Sequence, residues 1–287
     1  MILYYNVKEE NLTINTILKN KLKISSRLFT KLVHNKLIYL NDNICDTRNT
    51  AHINDVISID FNYSEDNSNI IPTRMDLNII YEDDCFIILN KPKGIAVHPS
   101  FRYFDNTLSN GLKFYFDEIK LNKKIRPVNR LDFNTSGLII FAKNEYIQEN
   151  LIKQMADNTF KKEYLAIVCG KLDTKNGTID KPIARKSTSI IERLVSPDGK
   201  KSITHFEVLK EYDSYSLVKC VLETGRTHQI RVHFASIGHP LLGDDLYGTE
   251  SDLIDGQALA CSGLSFYHPI NKNYLSFKLT TCPFDFL

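Results

Sequence analysis

An acid on a loop is the first feature of this chain with chemical potential. The run Arg126-Pro127-Val128-Asn129-Arg130-Leu131-Asp132-Phe133-Asn134-Thr135-Ser136-Gly137-Leu138 sets Asp132 ahead of a Thr-Ser-Gly turn. The apolar stretch Leu138-Ile139-Ile140-Phe141-Ala142 that follows reads as a strand, so the carboxylate is held at the edge of a sheet. An aspartate here also suits a turn cap, and the pattern alone serves either use. To act as a nucleophile or base near neutral pH, Asp132 must stay ionised. Burial raises a carboxyl pKa, so a cation is required beside it. Arg226, in Glu223-Thr224-Gly225-Arg226-Thr227-His228-Gln229-Ile230-Arg231-Val232-His233, is the expected partner. A guanidinium is always charged and grips a carboxylate through two parallel bonds. A helix start offers no dipole reason for an idle arginine. Gly225 lets the chain turn, and Thr227 is placed to cap the following helix, where Ile230, Phe234 and Ile237 have helical spacing.

The elements that must position these groups start at Ile79. Cys85-Phe86-Ile87-Ile88-Leu89, Tyr164-Leu165-Ala166-Ile167-Val168 and Leu217-Val218-Lys219-Cys220-Val221 read as strands. Residues 144–157 read as a helix with Ile147, Leu151, Ile152 and Met155 inward. The class is α+β, with a mixed, largely antiparallel central sheet flanked by helices. Residues 12–60 form a smaller α/β pattern. Leu12, Ile14, Ile17, Leu18 and Leu22 suggest one short helix, and Ser25 is the expected N-cap of a second, carrying Leu28, Phe29, Leu32 and Val33. Short strands follow around Asn41-Asp42-Asn43. The polar stretch from Tyr63 to Asn69, with Pro72, reads as a linker. The organisation expected is 1–62, a linker at 63–75, and 76–287.

Composition bounds the rest. The chain has 287 residues, 43% hydrophobic and 24% charged, enough for a sizeable core. A net charge of +2 leaves any nucleic-acid partner to local distribution. Lys19, Lys21, Lys23, Arg27, Lys31 and Lys36 run without an acid among them, which suits phosphate contacts but also a plain solvated face. The six cysteines lie apart, with no Cys-x-x-Cys pair and no zinc-type spacing, as in a reduced, cytoplasmic protein. The N-terminus does not resemble a signal peptide, and no apolar run has membrane-span length, so no membrane association is expected.

The Asp132 loop resembles that of the RluA family of RNA pseudouridine synthases, His-Arg-Leu-Asp-x-x-Thr-Ser-Gly-Leu. The segment around Arg226 resembles the family's Thr-Gly-Arg-Thr-His-Gln-Ile-Arg. The resemblance covers about residues 76–287, while the N-terminal helices and strands resemble an S4-type RNA-binding module. It implies an enzyme that isomerises uridine to pseudouridine on a flipped-out base. It also implies large-subunit ribosomal RNA as the partner, a monomer, and no metal or cofactor. Asp132 becomes the catalytic residue, with Arg226 supporting it and Tyr164 and Ile230 packing the uracil. Arg130, Thr227, His228 and Gln229 fall at the substrate. Lys91, in Asn90-Lys91-Pro92-Lys93-Gly94, takes an RNA-backbone or a structural role. Lys19, Lys21, Lys23, Arg27 and Lys31 become RNA contacts. Gly238–Gly248 and the stretch from Leu264 to Pro269 read as architectural, and 181–201 as a mobile loop or hairpin able to close over RNA. Asn129 departs from the family histidine and is read as a loop-holding residue. The alternative is a non-catalytic RNA-binding or ribosome-assembly factor. An RNA-cleaving hydrolase has less support, because no metal cluster or paired catalytic histidines are legible.

Overall fold

The computed structural model describes residues 1–284. Its main body is a ten-stranded, mostly antiparallel sheet. The order runs Asn176–Asp180, Ile203–Glu211, Tyr215–Leu222, Lys161–Cys169, Leu259–Tyr267, Ser136–Ala142, Phe86–Lys91 and Ile79–Glu82, with Arg126–Pro127 and Tyr274–Lys278 paired to the side. The sheet is mixed because Ser136–Ala142 and Leu259–Tyr267 run parallel, through Ser136↔Ala260 and Gly137↔Cys261. Strands near the centre, such as Phe86–Lys91 and Ser136–Ala142, are almost wholly buried, which explains their unbroken apolar runs. Helices Leu108–Glu118, Glu145–Ala156 and Gln229–Ala235 accompany the sheet. Thr107 and Asn144 cap the first two with their side chains, which fixes where each helix leaves its loop. The α+β class with a mixed, largely antiparallel sheet is therefore the observed one.

Two features of the central strands set the site. Gly137 has φ +103°, and a Cβ there would lie 2.2 Å from the Cys261 carbonyl oxygen, so only glycine permits the parallel contact. The strand Leu259–Tyr267 is irregular against Lys161–Cys169, where Glu163 faces Gly263 but Tyr164 faces Cys261. The extra residue, Ser262, forms a bulge, so Tyr164, Cys261 and Gly137 lie across three adjacent strands.

The N-terminal residues form a four-stranded sheet, Ile2–Asn6, Val56–Asp60, Ile38–Leu40 and Asn43–Ile44, beside short helical turns at 14–21 and the helix Ser26–His34. Ser25 caps that helix by accepting from Leu28 N at 3.3 Å. This part shares one continuous core with the large sheet. Phe61 stacks on Tyr146 at 5.6 Å. Residues 63–75 are a pinned strap: Glu65 N donates to Asn122 O, Asn67 Nδ2 to Lys123 O, and Asn110 Nδ2 to Ile71 O. Polar composition marked this stretch as a linker, and the Asn67 side chain is one of its polar groups that bonds to the main body. Among the described residues no helix is long and apolar enough to cross a membrane.

Candidate active site

The Asp132 loop is held at both ends by the strand it precedes. Val128 N donates to Ile140 O at 2.8 Å. The buried Asn129 side chain accepts from Ile140 N at 3.0 Å and donates to Leu138 O at 3.4 Å. Asparagine supplies both bonds without a titrating ring, so the loop is stitched at the position where the family motif has histidine. Thr135 N closes the turn onto Asp132 O at 3.1 Å, and Gln257 Nε2 donates to the Thr135 hydroxyl at 3.1 Å. From below, the fully buried Lys91 donates to the carbonyls of Pro92, Ile95 and Phe133, each at 2.9 Å. Lys91 is thus an internal clamp. It does not reach the cavity as a substrate contact, because all its donors go to the backbone. Burial pushes its pKa down to about 7, against the opposing pull of Asp132.

The cation beside Asp132 is Arg231. Its Nη1 lies 3.9 Å from Asp132 Oδ2. Two bonds of 2.7 Å to the fully buried Asp244 lock its guanidinium, and the Tyr247 ring lies 5.1 Å away. Burial opposes the charge, but Asp244 and then Asp132 outweigh it and raise the arginine pKa. Arg226, expected in this role, is exposed and donates from Nε to Lys201 O at 3.2 Å. The physical reason is the turn that precedes the helix. Gln229 is buried, and its amide accepts from Thr224 Oγ1 and Arg226 N while donating to Ile203 O and Thr204 Oγ1. That clamp holds Arg226 before the helix and leaves Arg231 on its buried face. Gln229 therefore has its polar atoms engaged by protein and positions the turn, while it also lines the cavity at Asp132. Thr227 is not the helix cap either. His228 occupies that position in the left-handed conformation, φ 57°, without a capping side chain.

His228 faces both ways across the site. Its Nε2 lies 3.9 Å from Asp132 Oδ2, and Nδ1 is 2.8 Å from the Tyr247 hydroxyl. Burial lowers its pKa, which favours the neutral ring. Tyr247 also accepts from Arg193 N at 2.8 Å. That bond ties the site to the hairpin Ile183–Arg185 and Arg193–Val195, so the 181–201 stretch is an ordered hairpin docked on the site.

Asp132 opens into a cavity of about 890 Å³. Tyr164, Arg130, Ile230, Arg226, Thr227 and His228 line it, while Lys91 does not. Burial raises the Tyr164 pKa well above its ordinary value, with Cys261 and Asp132 adding to the effect, so the hydroxyl stays protonated. Lys19, Lys21, Lys23 and Arg27 are exposed on the N-terminal part and do not line the cavity. Lys21 pairs with Glu9, and Lys19 lies 4.7 Å over the Phe29 ring. Lys31 turns inward, 3.1 Å from Glu65 and 2.7 Å from Glu145, so it is a structural contact and not an RNA-facing one. Asp83, Cys85 and His268 come within 4.8 Å of one another. There His268 Nε2 bonds to Asp83 and its Nδ1 accepts from Ile270 N and Asn271 N, which makes the group a knitted corner of the fold.

Sequence reasoning missed Arg231, Asp244 and Lys162. Arg231 was legible as a charge between the apolar Ile230 and Phe234, where burial demands a partner. Asp244 was read only as architecture. Lys162 shares the strand face of Tyr164 by simple alternation and lines the cavity, where burial lowers its pKa.

Residues 85–236 match the family model for RNA pseudouridylate synthase. The chain is 40% identical over 272 residues to the uncharacterized RNA pseudouridine synthase YhcT of Bacillus subtilis, covering 94% of this chain and 90% of the relative. It is 37% identical over 266 residues to the ribosomal large subunit pseudouridine synthase D of Vibrio cholerae, covering 88% and 82%. Among solved structures, human RNA pseudouridylate synthase domain containing 1 superposes with a TM-score of 0.60 at 27% identity, over 72% of this chain and 84% of that one. A loop aspartate with a fixed arginine, in a cavity with room for a nucleotide and on a chain alike over most of its length, has one family that accounts for all of it: this protein belongs to the RNA pseudouridine synthases.

Proposed function

We propose that the protein isomerises specific uridines of large-subunit ribosomal RNA to pseudouridine, acting as a cytoplasmic monomer, with Asp132 as the catalytic residue. The observation that carries this reading is the Asp132 carboxylate, part exposed in the cavity and 3.9 Å from an arginine that Asp244 immobilises. Such a cation sets a fixed positive charge beside the acid without a direct hydrogen bond to it. A factor that only binds RNA has no use for that arrangement.

The reaction breaks the bond from N1 to C1′, turns the freed uracil, and joins C5 to C1′. Asp132 starts it either by attacking C1′ or by taking a proton from C2′, and both routes need the anion. The proton on C5 leaves and N1 gains one, so product and substrate are isomers. Tyr164 and Ile230 pack the base, and Arg130, Thr227 and Arg226 at the rim hold the nucleotide. The target must leave its stack to enter. The N-terminal module is read as S4-like, with Lys19, Lys21, Lys23 and Arg27 meeting phosphates.

RNA tritiated at uridine C5 tests the reading, because bond formation there expels the label into water. Wild type is expected to release tritium from large-subunit ribosomal RNA. Asp132→Asn should release none while binding the RNA with near-wild-type affinity. Turnover by Asp132→Asn would overturn the assignment.

A further inference from the structure

Two phenyl rings stand in water next to the catalytic loop. Phe101 is wholly exposed and Phe104 is 67% exposed, with Arg102 between them also exposed. Isolated apolar residues on a surface need no explanation, but these rings sit on a segment the fold holds in place. Ser100 and Tyr103 close a tight turn through bonds of 2.7 and 3.2 Å. Behind it, Thr73 Oγ1 donates to Asp105 O at 2.6 Å and Thr107 caps the next helix. In front, the Tyr103 ring stacks on Phe133 with centroids 4.7 Å apart and planes at 20°. Phe133 follows Asp132, and Lys91 and Gly94 hold its carbonyl. His98, at the start of the segment, lines the Asp132 cavity and a neighbouring one of about 430 Å³. The exposed rings are thereby coupled in position to the reacting carboxylate.

We propose that the 100–104 turn is a stacking platform for unpaired bases that flank the target uridine. This rests on the reading that the cavity takes a uridine of RNA. Flipping one nucleotide leaves its neighbours with uncovered π-faces, and phenyl rings cover such faces without regard to sequence. The guanidinium of Arg102 lies 5.7 Å from the Tyr103 ring, on the same turn. It supplies positive charge for the backbone that carries those bases. A protein partner would be served by the rings but would gain nothing from the Tyr103–Phe133 stack that fixes their turn against the Asp132 loop.

The test measures binding of short unstructured oligoribonucleotides with one uridine, flanked by purines or by abasic residues. Wild type is compared with Phe101→Ala, Phe104→Ala and Arg102→Gln. Each phenylalanine variant should weaken binding of the base-bearing RNA about tenfold, with an unchanged salt slope. On the abasic RNA those variants and wild type should converge. Arg102→Gln should flatten the salt slope instead. Tritium release at saturating ribosomal RNA should remain at the wild-type rate in both phenylalanine variants.

Equal affinity in all proteins would overturn the platform. So would an equal loss on abasic RNA, or a fall in the saturating rate, which would make the turn a support for Asp132. Loss of self-association with RNA affinity unchanged would give the rings to a second copy of the chain and likewise overturn it. Affinity is read separately from turnover, so a wild type that binds through the platform but releases no tritium would sink the isomerase reading and leave the platform standing.

Discussion

Arg231 and Arg226 differ in what holds them. Arg231 is gripped on two atoms by Asp244, so its charge sits at a fixed place beside Asp132, whereas Arg226 bonds a single carbonyl at the rim. Positioned charge in a partly dry site is worth far more than mobile charge. Arg231→Lys keeps the charge but loses the forked grip, and its kcat is expected to fall on the order of 100-fold. Arg226→Ala should raise KM several-fold with kcat close to wild type. Steady-state tritium release on both variants decides between them, and the reverse pattern would restore Arg226 as the partner. The Asn129 substitution has a parallel explanation at this scale: two backbone bonds specify the residue there, and an amide makes both.

At the scale of elements, the parallel junction and the N-terminal helix each have a decisive residue. Gly137 brings the Asp132 strand against Cys261 with its own φ positive. Gly137→Ala forces a Cβ into a backbone oxygen, and a loss of roughly 3 kcal/mol or more is expected in chemical denaturation. Near-wild-type stability would show that the junction can shift. The helix Ser26–His34 divides its cations. Lys31 faces the main body, while Arg27 joins Lys19 and Lys23 at the surface. Replacing Lys19, Lys23 and Arg27 with Gln should lower the slope of log affinity against log salt by about 2–3, with tritium release at saturation unchanged. An unaltered slope would remove this face from RNA contact.

For the whole molecule, the two parts meet through a buried ion cluster. Arg126 holds Glu65 with bonds of 2.5 and 2.6 Å, Lys31 and Glu145 join it, and Tyr63 donates to Glu145. Burial pushes the Glu65 carboxyl up, but Arg126 and then Lys31 outweigh it and hold its pKa at about 2, below the ordinary 4.5. A depressed carboxyl pKa contributes stability above the unfolded value, so this contribution is present above about pH 4.5 and is lost as pH falls toward 2. Glu65→Gln should cost on the order of 2–3 kcal/mol at pH 7, because among the described residues Arg126 then keeps Glu145, at 3.4 Å, as its one carboxylate partner. The difference from wild type should shrink at pH 3, and a difference independent of pH would mean the carboxylate charge is not the cause. Because the core is continuous, removing residues 1–62 would bare Tyr146 and take Lys31 away from Glu65 and Glu145. Surface charge changes are therefore the cleaner probe of the N-terminal part than truncation.

Local patterns determined much of this protein. The apolar run after Gly137, the cap at Ser25 and the alternation at Tyr164 are set by interactions within a few residues, so the α+β class and the Asp132 loop were readable from the chain. The ordered motifs Arg-Leu-Asp and Gly-Arg-Thr-His-Gln-Ile-Arg carried the family with them. Which arginine meets Asp132 was not readable, because the turn clamped by Gln229 and the distant Asp244 decide it together. The inward turn of Lys31, the pinning of the strap at 63–75 and the internal role of Lys91 were hidden for the same reason. A charged side chain takes its role from the partner it finds across the fold, and strand pairing between distant segments brings that partner into place.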